Sequence, residues 1–176
     1  MKVMQINVVY KQGSTGKIVY DIHRQLVQNN YDSVVYYGRG EQVQDVNVYK
    51  ITSEYVMKLQ SLYSRISGYA YAGCFISTDI LFKIIIDEKP DVIHLHCLNG
   101  YFINVYKLLE FLKIIGIKTI LTLHAEFMYT AGCGYSLDCE KWKVECSNCP
   151  ELNKERPPSW FFDRSKAEWN MMSKAF

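Results

Sequence analysis

The chain has 176 residues, 49% of them hydrophobic, and a formal net charge of +2. That length suits one domain with a real core and is short for two. So small a charge, without a Lys/Arg cluster, argues against a nucleic-acid surface, and no run approaches the ~20 apolar residues of a membrane helix.

Taken in order, Lys2 to Tyr10 carries Val3, Met4, Ile6, Val8 and Val9, the near-continuous β formers of a central parallel strand. It lacks the long apolar region and small-residue cleavage site of a signal peptide, so the expected location is the cytoplasm, with peripheral contact at the inner face of the membrane left open. Gly13-Ser14-Thr15-Gly16 follows, and Ile18, Val19, Ile22, Leu26 and Val27 then recur at helical spacing. Ser14 or Thr15 is expected to cap that helix. Ser33 to Tyr37 reads as a second strand and Val46 to Ile51 as a third. Val56, Leu59, Tyr63 and Ile66 mark a helix ending near Gly68, and Ser77 or Thr78 is expected to cap the next, with Leu81, Ile84 and Ile85 inward and Pro90 forcing its end. Asp91 to His96 is a short strand. Val105, Leu108, Leu109 and Leu112 line a helix that stops at Gly116, and Ile117 to His124 is a strand closing on a histidine. Asp163 is placed to cap a last helix bearing Trp169, Met172 and Phe176, an apolar stripe that calls for a partner or docks back on the sheet. Alternating strands and helices predict an α/β fold, a Rossmann-like parallel sheet with helices on both faces. The chain divides into one such domain over 1–176, with a Cys-rich loop at 125–150 and a linker and terminal helix at 151–176.

Four places carry chemistry. The turn Gly13-Ser14-Thr15-Gly16 lies between strand and helix, where backbone N–H groups and the helix dipole favour a phosphate; it is neither a Walker A loop nor the dinucleotide fingerprint. His96 and His124 end two strands expected to be neighbours, at the edge where open α/β sheets bind ligands. His94 is expected to be packed or hydrogen-bonded, with His94 and His96 on opposite faces or one at the edge. His23 reads as a helix residue without a site role. Asn99, Tyr101 and Glu126 follow the strand ends as acceptor or rim residues. Cys133, Cys139, Cys146 and Cys149 close on a Cys-x-x-Cys, and in a reducing compartment this favours a structural zinc over free thiols or disulfides. Cys74 and Cys97 read as ordinary buried cysteines. There is no Asp-x-Asp pair to grip a cation on a diphosphate, and no Ser/His/Asp triad order can be assembled.

Several stretches together resemble the N-terminal domain of family 4 retaining glycosyltransferases, closest to bacterial enzymes of colanic acid and surface polysaccharide synthesis. They are Gln5-Ile6-Asn7-Val8-Val9-Tyr10 with Gly13-Ser14-Thr15-Gly16-Lys17-Ile18, Pro90 to His96, Asn99 to Asn104, Thr122-Leu123-His124, and Cys139 to Lys143 with Cys146 to Pro150, running on to Pro158 to Lys166. The resemblance implies a GT-B enzyme of two Rossmann-like domains, this one on the acceptor side. The glycine turn would approach the donor diphosphate, His124 would contact the donor sugar, and transfer would retain configuration without a catalytic cofactor or a protein nucleophile. A nucleotide sugar and a glycan or lipid-linked acceptor are the implied substrates. The family's Glu-x7-Glu domain, on the order of 150–200 residues, is not in this sequence, so the expectation is a fragment of a longer enzyme, a split enzyme with a donor-domain partner chain, or a remnant. Ala125-Glu126-Phe127 departs from the family's aspartate and tryptophan, with Glu126 one position late. The alternative expectation is a catalytically inactive remnant that binds glycan or acceptor.

Overall fold

The computed structural model describes residues 1–176. Five parallel strands run β1 (Lys2–Val9), β2 (Asp32–Arg39), β3 (Val48–Lys50), β4 (Val92–Leu95) and β5 (Lys118–Leu121), in the sheet order β3-β2-β1-β4-β5. All four pairings are parallel, so β1, paired on both sides, is the buried centre that its apolar run requires. Five α-helices connect or follow them: α1 (Gly13–Gln28), α2 (Glu54–Ser67), α3 (Phe75–Glu88), α4 (Val105–Ile115) and α5 (Ser165–Ala175). The arrangement is Rossmann-like, and no helix is long and apolar enough to cross a membrane.

Strand parity divides the core. Met4 and Ile6 pair in register with Val34 and Tyr36 on one side and with Ile93 and Leu95 on the other. These residues join Leu81, Leu108 and Met172 in the main core, beneath α3, α4 and α5. The intervening residues point to the other face, where Val19 of α1 packs with Val35, Tyr37 and Val48. α1 lies over β1 and β2, so the β4–β5 end of this second face is open and Ile120 is left 45% exposed.

The predicted elements are present, with shifts that have local causes. α1 begins at Gly13 rather than after Ser14 or Thr15; Gln12 is the N-cap residue and makes no side-chain cap bond. Gly16 favours the early start, because a Cβ there would stand 3.1 Å from Val9 Cγ2 and the helix start would have to ease away from the strand end by a few tenths of an ångström. α3 starts at Phe75 behind Cys74. Ser77 and Thr78 lie inside its first turn and donate back to the Cys74 carbonyl instead of capping. α2 ends at Gly68 as expected, but Val56, Leu59, Tyr63 and Ile66 are exposed and Met57 and Ser64 face inward. Asp163 does serve the start of α5, where its Oδ1 accepts the Ser165 amide at 2.9 Å. Of the terminal stripe, Met172 enters the core, the Trp169 indole donates to the Trp142 carbonyl at 2.8 Å, and Phe176 stays exposed.

Two glycines are fixed by close packing. A Cβ on Gly38 would overlap the ring of fully buried Phe102, and one on Gly100 would overlap Val8 Cγ2. Gly38→Ala is therefore expected to lower stability by about 1–3 kcal/mol in urea unfolding, the usual cost of overpacking a core. Phe102→Leu in the same chain should recover part of that loss, and no recovery would mean that Phe102 is not the obstacle.

Candidate functional site

Three histidines stand in a row at the open end of the second face. His94 pairs in register with Gln5 of β1 and Ile120 of β5. His96 is two residues on and so on the same side as His94, and their ring centroids lie 3.9 Å apart. This corrects the expectation of opposite faces, because residues i and i+2 of a strand share a face. The ring of His124 stacks on His96 at 5.6 Å between centroids, with 25° between planes.

The hydrogen bonds fix the tautomers. The carbonyl oxygen of Gln5 can only accept, so His96 Nε2, 3.2 Å away, carries the proton. His96 Nδ1 is then the acceptor for His124 Nε2 at 3.4 Å, and a neutral His124 keeps a lone pair on Nδ1. His94 Nε2 lies 2.8 Å from Thr122 Oγ1. Burial, then the neighbouring His94 and His124, bring His96 down to about 3, and burial with His124 lowers His94 as well. His96 is uncharged at neutral pH. His23, distant from this row, bonds Ser33 Oγ at 2.8 Å as a structural helix residue.

The glycine turn lies at the end of the adjacent strand β1. Gly13, Ser14 and Thr15 are the first residues of a 16-residue helix, and their N–H groups have no intrahelical acceptor. Gly13 and Ser14 are exposed. Along the same sheet edge, past β1, β2 and β3, lies a shallow cavity of about 640 Å³ lined by Gln12, Arg39, Glu41, Gln42, Lys50 and Glu54. Glu54 accepts the Gly40 amide at 2.8 Å and Lys50 Nζ at 3.2 Å. These bonds outweigh burial and hold its carboxyl below the usual range.

The other predicted residues make local contacts. The Glu126 carboxylate accepts the Ser136 amide, and its backbone N–H donates to the Gly134 carbonyl at 2.9 Å, so it fastens the Cys-rich loop. Asn99 Oδ1 accepts from the Cys97 thiol at 2.7 Å. Tyr101, at φ +56°, gives its carbonyl to the Cys74 thiol at 2.9 Å. The four loop cysteines line one small cavity. Within it, the hydrogen bond from Cys133 leads the causes that bring the Cys149 thiol to about 7, with the Glu151 amide and Arg156 acting in the same direction against burial. No group of three or more His, Cys, Asp or Glu side chains is set as a ready-made metal cage.

Sequence reading missed Gln5 and Thr122, which orient His96 and His94. Gln5 carried a signal, a polar residue at 0% exposure inside an apolar central strand. It also missed the fully buried pair Arg156 and Glu168.

Comparison with known proteins gives one finding with weight here. Over 169 residues the chain is 27% identical to WcaC of Escherichia coli (strain K12), which carries the provisional name colanic acid biosynthesis glycosyl transferase. The similarity supports a glycosyltransferase relationship. It covers 89% of this chain and 41% of the relative, so the chain spans about two fifths of that protein's length. No protein-family model matches the chain, and no solved structure matches it.

Proposed function

We propose that this chain is the acceptor-side domain of a nucleotide-sugar-dependent glycosyltransferase of the family 4, GT-B type, acting on a glycan or lipid-linked acceptor in surface polysaccharide synthesis. The observation that carries this reading is the similarity to WcaC along 89% of the chain. The histidine row and the α1 N-terminus at neighbouring strand ends agree with it. In this reading the donor's diphosphate lies over Gly13, Ser14 and Thr15, where free N–H groups and the helix dipole meet the charge that grows as the leaving group departs. His124 Nδ1 accepts a sugar hydroxyl. His96, buried with both ring nitrogens engaged, is a positioning residue that fixes the His124 ring. The polar cavity past β1–β3, lined by a single hydrophobic residue, suits the hydroxyl groups of an acceptor sugar. A second domain that grips the nucleotide completes the cleft.

The test is sugar transfer by the complete gene product, assayed with a panel of nucleotide sugars and lipid-linked acceptors. His124→Ala should lower kcat/KM about tenfold, the worth of one hydrogen bond of about 1.4 kcal/mol. Unchanged transfer would remove His124 from the site, and no transfer with any donor would remove the enzyme reading.

A further inference from the structure

The Cys-rich loop takes no part in the proposed transfer, yet its four cysteines border one cavity. Cys133, Cys139, Cys146 and Cys149 line one cavity of about 10 Å³, room for a single ion or water and no more. The backbone N–H of Ala131 acts on Cys146 and that of Glu151 on Cys149, each favouring the thiolate. Amides directed at sulfur stabilise a coordinated thiolate. The turn between them is held in shape, with Asn148 at φ +45° and Lys141 Nζ donating to the Ser147 and Asn148 carbonyls at 2.9 Å each.

A buried cation stands beside this cavity. Arg156 is 0% exposed, and its Nε donates at 2.9 Å to the carbonyl of Ala131, a residue that lines the cavity with the four cysteines. Its Nη2 bonds Gly68 and Glu168, while Nη1 is buried without any partner. An unpaired guanidinium N–H in the interior is costly.

We propose that Cys133, Cys139, Cys146 and Cys149 bind one zinc ion, and that Arg156 is the buried cation that offsets the charge of the resulting tetrathiolate. Zinc takes four sulfur ligands in tetrahedral geometry, and a site filled by four thiolates is structural. Four thiols and one Zn²⁺ give a complex of net charge −2 and release four protons. The thiols do not form a preset cage, so binding draws them inward. The backbone permits this, because between the 3-10 turn at Glu126–Met128 and α5 the only regular element is the three-residue turn Lys141–Lys143.

Metal analysis of the 176-residue chain, purified without chelator, should find about one zinc per chain. Exchange with Co²⁺ should give a thiolate-to-cobalt charge-transfer band, and Cys139→Ser should abolish that band. Substoichiometric metal with no such band, or a Cys133–Cys149 disulfide in a non-reduced digest, overturns the site. The Arg156 assignment is read from zinc affinity by dye competition. Arg156→Met combined with Glu168→Leu removes both charges and should weaken binding about 10–100-fold, whereas Arg156→Lys, which keeps the charge, should weaken it less. Equal affinity in all three chains overturns the charge-offset role while leaving the cysteine site standing.

Discussion

Glu168→Ala is expected to destabilise the chain by about 3–5 kcal/mol, because it strands a charge in the interior. Glu168 and Arg156 side chains are both 0% exposed and ion-paired to each other. Glu168 Oε1 also accepts the Ala70 amide at 2.6 Å and the Tyr71 amide at 3.3 Å. Arg156 ties Gly68 and Ala131 to the same point. Burial raises the Glu168 carboxyl above its usual range even with Arg156 beside it, so desolvation outweighs attraction for this acid. The pair is thus a poor source of net stability, but breaking it is expensive. Thermal unfolding should show a midpoint lower by roughly 10 °C for Glu168→Ala. Arg156→Met/Glu168→Leu should fall much less, since two apolar groups leave no buried charge. If the single and double variants melt together, the loss belongs to packing and not to the stranded charge.

Acid should destabilise the chain well above the range where carboxylates protonate. His96, held at about 3, is neutral in the folded state and takes up its proton at about 6.5 once unfolded. A lowered histidine contributes stability that is fully present above 6.5 and is lost as pH falls from there toward 3. The slope is about 1.4 kcal/mol per pH unit for each such group, or about 2 kcal/mol for His96 between pH 6.5 and pH 5. Burial also lowers His23 and His94, which add in the same direction. Asp45, Glu54 and Glu88, all lowered, act only at more acid pH. Urea unfolding at pH 7 and pH 5 should therefore show a steep loss in the parent chain and a loss smaller by about 2 kcal/mol in His96→Gln. The slope, not the level, decides the matter: a variant with the parent's slope would mean that His96 is charged in the fold.

Strands and helices were legible because their signals are local. The apolar run at Lys2–Val9, the glycines after α2 and α4, and Pro90 beyond α3 each act within a few residues. Orientation was not local. The 3.6-residue period of α2 announces a helix, yet Met57 rather than Val56, Leu59, Tyr63 and Ile66 faces the core. The side on which a short helix meets the sheet is set by its connections. The histidines were legible as strand-end residues, and their shared face follows from strand parity, which the sequence reading misapplied. Arg156 and Glu168 gave no signal, since nothing near either residue in the chain shows that its partners are Gly68, Ala70, Tyr71 and Ala131. Glu126 looked like a free acid at a rim, and only the path of the loop back to Ser136 shows that it is engaged.

The reach of Glu168 sets an order on the making of the protein. The Ala70 amide finds its acceptor 98 residues later in the chain. All five strands precede residue 122, so the sheet can pair as the chain emerges while the turn between α2 and α3 still lacks its acceptor. Contacts of such separation form late, since the intervening chain must be closed first. The last helix therefore acts as the latch of the domain: until Glu168 arrives, the Ala70 and Tyr71 amides lack their acceptor and the Arg156 guanidinium lacks its counter-ion.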